Sequence, residues 1–346
     1  AVQEALSKEP GAMISALRRA DVGAWLRCLR PGGGLADRAA GVRALASALA
    51  LSMAAVGALR RPIRVDRPPP RLAALAGRIA VDVPPGAAAA IVAPDRVIFP
   101  GVEERPLAAL TGRGDVFAPI IGDLVLALYD QNPLAALEAH PDKSGNAIDL
   151  GGRAALEWTA ALADAVARIG EHLPDLRREL ELYVQQIIPV GYDAERHLSA
   201  SYQEAIGTIY LSLHPQPLTM VEALIHEFSH NKLAALLELD PVLENAFTSA
   251  HPSPVRPDPR PLHGVLLAVH AFLPVAAFYE ALIASEDPVG RRPEVRRRLA
   301  QIVAGNHEGV QVIVAHGRPT AIGAALVDEL VRLDRRSRAR LEARGG

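Results

Sequence analysis

Residues 221–239 read VEALIHEFSHNKLAALLEL, and within them His226-Glu227-Phe228-Ser229-His230 forms an HExxH pattern. The stretch has neither proline nor glycine, and its apolar residues recur at helical spacing. Positions i and i+4 of a helix project from one face, so His226 and His230 can grip a single metal ion. Glu227 is rotated about a third of a turn away, poor for sharing the metal but able to reach a water or substrate beside it. Ile225, Phe228, Leu233, Leu236 and Leu237 predict a largely buried helix, and buried histidines need a partner. The plain alternative is a core helix with two incidental histidines, because five-residue patterns also arise by chance.

Working outward, half of the 346 residues are hydrophobic and only 4% are aromatic, which favours close-packed helices. The expected fold class is α+β and predominantly helical. In it the HExxH helix lies beside a small mixed sheet, a zincin-like local arrangement rather than a jelly-roll barrel. Residues 1–150 are expected to form a helical region with a few short strands, serving as scaffold or for binding a leader peptide. Residues 151–346 are expected to form the metal-binding catalytic domain. A net charge of -2 offers no basic excess to neutralise phosphates, so no nucleic-acid partner is expected. Cys28 is the single cysteine, which rules out an intrachain disulfide and fits a reducing compartment. Residues 1–10 are polar, and the alanine-rich run 44–59 is shorter than the ~20 residues that span a bilayer. A cytoplasmic protein with no membrane partner is expected.

Along the chain, residues 12–29 and 36–61 read as helices, separated by Pro31 and a triple glycine. Residues 62–70, RPIRVDRPPP from Arg61 on, read as an extended linker, and 79–101 as two or three brief strands. Residues 118–129 suggest a helix or a buried apolar segment, and 131–152 a polar loop containing His140 and Asp142. Residues 154–169 and 173–183 read as helices joined around Gly170. The runs 187–190 and 206–213 are strand-like, the second leading toward the HExxH helix. Such a strand is either sheet interior or an exposed edge on which an extended peptide can pair. Thr219, with Glu222 three residues on, fits a capping box for the HExxH helix. Helices follow at 262–283, with Pro274 inside, at 293–314, and at 321–335 behind a Thr320 cap, with a frayed arginine-rich tail.

Two histidines leave a metal site incomplete. The extended HExxHxxGxxH form would need glycine at 233 and histidine at 236, where this chain has Leu233 and Leu236. The third ligand must therefore come from downstream. His263 and His270, seven residues apart, share a face of the next helix. Glu238, Asp240, Glu244, Asp258 and Glu280 are the acidic alternatives.

The HExxH segment is preceded by a stretch containing Ser199, Ser201, Gly207, Ile209, Leu211 and Ser212. It is followed by Asp258-Pro259-Arg260-Pro261-Leu262 and, near the end, by Pro319, Thr320 and Gly323. Over about residues 188–330 this set resembles the HExxH peptide-modification proteins, the iron(II)/2-oxoglutarate-dependent HExxH-type peptide β-hydroxylases. The resemblance implies Fe(II), 2-oxoglutarate and O2 as cofactors and a ribosomally made precursor peptide as substrate, hydroxylated at a side-chain β-carbon. Such chemistry needs three protein groups on one face of the iron. It also needs a cation for the distal carboxylate of the keto acid, a task suited to the planar fork of arginine. Arg260 is the favoured candidate, with Arg256 and Lys232 as alternatives. Two other readings stay open. One is a zinc metallopeptidase with Glu227 as general base; the other is a non-catalytic, metal-stabilised module that binds peptides.

Overall fold

The computed structural model describes residues 2–137, 139–140, 143–144, 147–253 and 258–345. About 53% is helical, the sheets are small, and no barrel closes among the described residues. The α+β, mainly helical class is therefore the observed one. Two compact units divide the chain: Ala1–Ala160 with Val184–Pro215, and Ala161–Tyr183 with Gln216–Gly346.

In the first unit, the helices Pro10–Leu17 and Arg38–Ala55 pack on antiparallel strands through Met13, Leu51, Met53, Leu72, Ile79, Val97 and Phe99. Strands Ile63–Asp66, Ala89–Val92, Arg96–Phe99 and Glu103–Pro106 neighbour one another in that order. A second, five-stranded mixed sheet runs Ser199–Ala200, Thr208–Leu213, Gln186–Tyr192, Leu124–Ala127, Phe117–Ile121. Its central strand Gln186–Tyr192 is parallel to both neighbours. Thr208–Leu213 is buried along its whole length and flanked on both sides, so it is sheet interior rather than a free edge. At the end of this sheet Asp130 accepts the Tyr210 hydroxyl at 2.8 Å and the Asn132 amide at 2.8 Å. Burial pushes the Asp130 carboxyl up to about 6.

Several local expectations change. The helix expected over 12–29 breaks at Arg18–Arg19, where Arg19 turns extended. The break is spliced by Gln185, whose amide nitrogen donates to the Arg18 carbonyl at 2.8 Å and whose oxygen accepts from the Ala20 amide at 3.1 Å. The linker at 62–70 is in part a strand, because Ile63–Asp66 pairs with Ala89–Val92. Residues 118–129 form a hairpin rather than a helix, turning at Gly122, whose φ of 55° suits a residue without Cβ. Asp142 lies outside the described residues, and His140 falls in a two-residue strand.

The second unit is helical: Pro174–Tyr183, Pro217–Leu237, Leu262–Ala284, Pro293–His316 and Ala321–Gly345. Leu233, Val242, Leu262, Leu266, Val269, Val310 and Ile313 form its core. Leu262–Ala284 is the one described helix long and apolar enough to cross a membrane, and 61% of its most apolar window is buried inside the protein. The last helix begins as expected, with the Thr320 hydroxyl accepting from the Gly323 amide at 2.9 Å. It does not fray at 335 but continues through the arginine-rich tail. There Arg340 donates to the buried Glu280 at 2.7 Å, giving the tail a tertiary anchor.

Candidate metal centre

The HExxH helix runs Pro217–Leu237, opened by a proline whose fixed φ suits a first helical position. The expected capping box does not form. Thr219 lies inside the first turn, Gln216 occupies the N-cap position without a capping bond from its side chain, and Glu222 is used elsewhere. Val221, Leu224, Ile225, Phe228 and Leu233 are buried, leaving the helix little solvent-facing surface. The polar residues inside satisfy themselves locally: Ser229 donates to the Ile225 carbonyl at 2.7 Å, and the Asn231 side-chain amide to the Glu227 carbonyl at 3.0 Å.

His226 and His230 turn their rings toward each other, with Nε2 atoms 2.9 Å apart and ring planes at 84°. Phe272 covers the His226 ring at 4.6 Å between centroids. Burial, and then the neighbouring His230 ring, push His226 down to about 4; burial also lowers His230. Both imidazoles are thus neutral near pH 7, the form that ligates metal. Two nitrogens ~2.1 Å from a common ion are roughly 3 Å apart at a right angle, so the pair fits a metal. The same distance also suits a hydrogen bond between two neutral rings. Glu227 is buried, and its charge acts on both histidines in the direction opposite to burial.

No third ligand is assembled: among the described residues, no three His, Cys, Asp or Glu side chains form a group able to hold a metal. His270 and His263 both lie on the helix Leu262–Ala284 and within the electrostatic reach of His230. His270 is the more enclosed. Burial pushes it down to about 4 against the opposing pull of the Ser229 backbone, and its Nδ1 is sealed from solvent without a hydrogen-bond partner. Pro274 removes the amide that would have bonded the His270 carbonyl, loosening the helix at this position. His263 sits at the helix start with its ring 4.8 Å from that of Phe247.

The acidic alternatives are largely committed to structure. Asp240 accepts from the Val242 amide at 2.7 Å and the Thr320 hydroxyl at 2.6 Å. Glu280 holds Arg340, and Asp258 pairs with Arg260 at 2.8 Å. Of the candidate cations, Lys232 donates to Glu179 at 2.6 Å, and Arg256 lies outside the described residues. Arg260 pairs in a two-residue ladder with His251, ahead of the helix that carries His263 and His270. The Pro319–Gly323 element has a clear packing role: a Cβ at Gly323 would lie 1.8 Å from the Val242 carbonyl oxygen, which already accepts from the Thr320 amide.

One group was not legible in the sequence. Glu222 lies one turn before His226 and is gripped by Arg298, through Nε at 3.1 Å and through Nη2, while the Tyr279 hydroxyl donates to it at 3.1 Å. Arg298 in turn lies over Phe272, 5.9 Å from the ring centroid, the same ring that covers His226. The i−4 position of Glu222 was the available signal, whereas Arg298 is hidden in a run of three arginines. Comparison of the chain with family models and with curated proteins finds no match.

Proposed function

We propose that His226 and His230 hold iron(II) and that the protein hydroxylates a side-chain β-carbon of a ribosomally made peptide, with 2-oxoglutarate and O2 as co-substrates. The observation that carries the metal is the pair of neutral, largely enclosed imidazoles with Nε2 atoms 2.9 Å apart. The motifs around the HExxH segment carry the choice of iron and of a peptide substrate. Bound iron(II) would supply the site at which O2, the oxidant, and 2-oxoglutarate, the two-electron reductant, react, one oxygen atom going to the C–OH of the peptide and the other to succinate with loss of CO2. The chain supplies the rest. Burial keeps both rings deprotonated, Phe272 fixes and dries the His226 side, and Glu227 positions water or substrate beside the pair. His270 is the third ligand we favour, since its orphaned Nδ1 lies on a helix loosened by Pro274. Arg260 is our anchor for the distal carboxylate, freed from Asp258 as the keto acid binds. The HExxH helix beside a mixed sheet, in a zincin-like arrangement, belongs to the same proposal.

The test is anaerobic reconstitution with iron(II), titration with 2-oxoglutarate, and mass analysis of candidate precursor peptides in air. A visible charge-transfer band that is weakened in Arg260→Ala, and a peptide heavier by one oxygen atom, are expected. A chain that retains zinc, ignores 2-oxoglutarate and cuts peptides only with Glu227 intact would replace this reading by a metallopeptidase.

A further inference from the structure

We propose that a cavity in the first unit binds a small organic amine, whose ammonium group pairs with Asp130. The cavity has a volume of about 580 Å³, within the range of small-molecule sites. Its lining comes wholly from the first unit, so its occupant is independent of the histidine pair. Tyr129, Asp130, Gln131 and Asn132 line it where the chain leaves the carboxyl end of the strand Leu124–Ala127. That strand runs parallel to Gln186–Tyr192, and the carboxyl ends of parallel strands are where ligand crevices open. Trp25 and the half-buried Pro68 and Pro69 add apolar wall.

The carboxyl of Asp130 selects the ligand class. It accepts two bonds, both from neutral donors, the Tyr210 hydroxyl at 2.8 Å and the Asn132 backbone amide at 2.8 Å. A carboxylate can accept about four, so acceptor capacity remains. Burial pushes the group up to about 6, which leaves it mostly ionised at neutral pH, and a buried charge calls for a partner of opposite sign. Among the described residues, the charge that acts on it is that of Glu204, another carboxylate. The side-chain amides of the lining are spent on acids as well, Asn132 on Glu204 at 2.9 Å and Gln131 on the buried Asp21 at 3.2 Å. The arginines of the lining do not supply the missing cation. Arg71 is held by Asp82 at 2.6 Å, Arg67 is exposed, and neither these nor Arg43 acts on the Asp130 carboxyl. An ammonium is a compact point charge with three donors, suited to the capacity that remains on the two oxygens. Its hydrocarbon body would lie against Trp25 and Tyr129, whose ring faces also attract a cation, as the Arg71 guanidinium 5.4 Å from the Tyr129 centroid illustrates.

The test is calorimetric titration of the full chain at pH 7.5 with pentylamine, pentanol and pentanoate, which share a hydrocarbon body and differ in charge. One-site binding of pentylamine is expected, at least tenfold tighter than that of pentanol or pentanoate. It should be at least tenfold weaker in Asp130→Asn, which keeps an acceptor and drops the charge. Ala44→Leu, which fills the cavity from its lining and leaves Asp130 in place, should weaken it to the same degree. A thermal melt of each variant confirms folding. Absence of pentylamine binding would overturn the proposal. So would undiminished binding in both variants, because the amine would then sit elsewhere. Pentanol binding as tightly as pentylamine would overturn the pairing with Asp130, and tighter binding of pentanoate would give the cavity to its arginines instead.

Discussion

Asp130→Asn should make the protein more stable at neutral pH, with less than half of that gain left in mild acid. In the folded chain the Asp130 carboxyl is pushed up to about 6 by burial, opposed by the Asn132 amide and the Tyr210 hydroxyl. Unfolding returns it to the ordinary value of 3.8. Between those two pH values the folded state binds more protons than the unfolded one, so stability falls as pH rises through the window and is flat above it. A shift of this size is worth about 3 kcal/mol, and the residual solvent contact of the carboxyl reduces the expectation to about 2 kcal/mol. Asparagine keeps an acceptor for the Asn132 amide and carries no charge to desolvate. Urea unfolding of wild type and Asp130→Asn, followed at pH 7.5 and pH 4.5, gives a double difference in which all other titrating groups cancel. A gain of about 2 kcal/mol at the higher pH, shrinking by more than half at the lower, is expected. Equal destabilisation at both would refute the reasoning, because the two hydrogen bonds would then outweigh burial.

Two further outcomes follow from the second unit. Glu227→Gln should leave metal stoichiometry intact and abolish turnover of peptide, measured by mass spectrometry; full activity would remove Glu227 from the chemistry. Thr320→Ala loses both the helix cap on Gly323 and the bond to Asp240, and should cost about 1–2 kcal/mol in urea unfolding. A cost near zero would mean that the last helix is held by its apolar face alone.

What was legible in the sequence is local. The HExxH helix follows from an uninterrupted apolar period, and the strands near 187–190 and 208–213 from β-branched runs between breakers. The Thr320 cap is a three-residue signal. What was missed depends on distant partners. The break after Arg18 is stabilised by Gln185, 167 positions away. Glu222 left a plausible capping box because Arg298, 76 positions on, offers it two charged donors instead of one amide. The tail stays helical because Arg340 reaches the buried carboxylate of Glu280. The hairpin at 117–127 was nearer to hand, since Gly122-Asp123 is a turn signal between two apolar runs. The third metal ligand is the hardest case, because chain spacing orders His263 and His270 on one helix without choosing between them.

That choice can be forced by stability. His270 sits on a proline-interrupted helix against the Ser229 backbone, its Nδ1 has no hydrogen-bond partner, and burial holds its ring neutral. A buried polar atom in that condition costs about 1–3 kcal/mol, which the metal-free fold bears without return. His270→Leu should therefore stabilise the metal-free chain by up to about 1 kcal/mol, since leucine fills similar space without the orphaned nitrogen and gives up only the bond to the Ser229 backbone. The same change should remove most of the stabilisation that iron(II) or cobalt(II) gives the wild type, roughly 2.7 kcal/mol at a hundredfold excess over Kd. His263→Leu should leave that metal-dependent gain in place. Thermal melts with and without metal, under nitrogen, read both quantities from one experiment. If His270→Leu instead weakens the metal-free chain and spares the metal response, the ring is part of the packing and His263 or a carboxylate is the ligand.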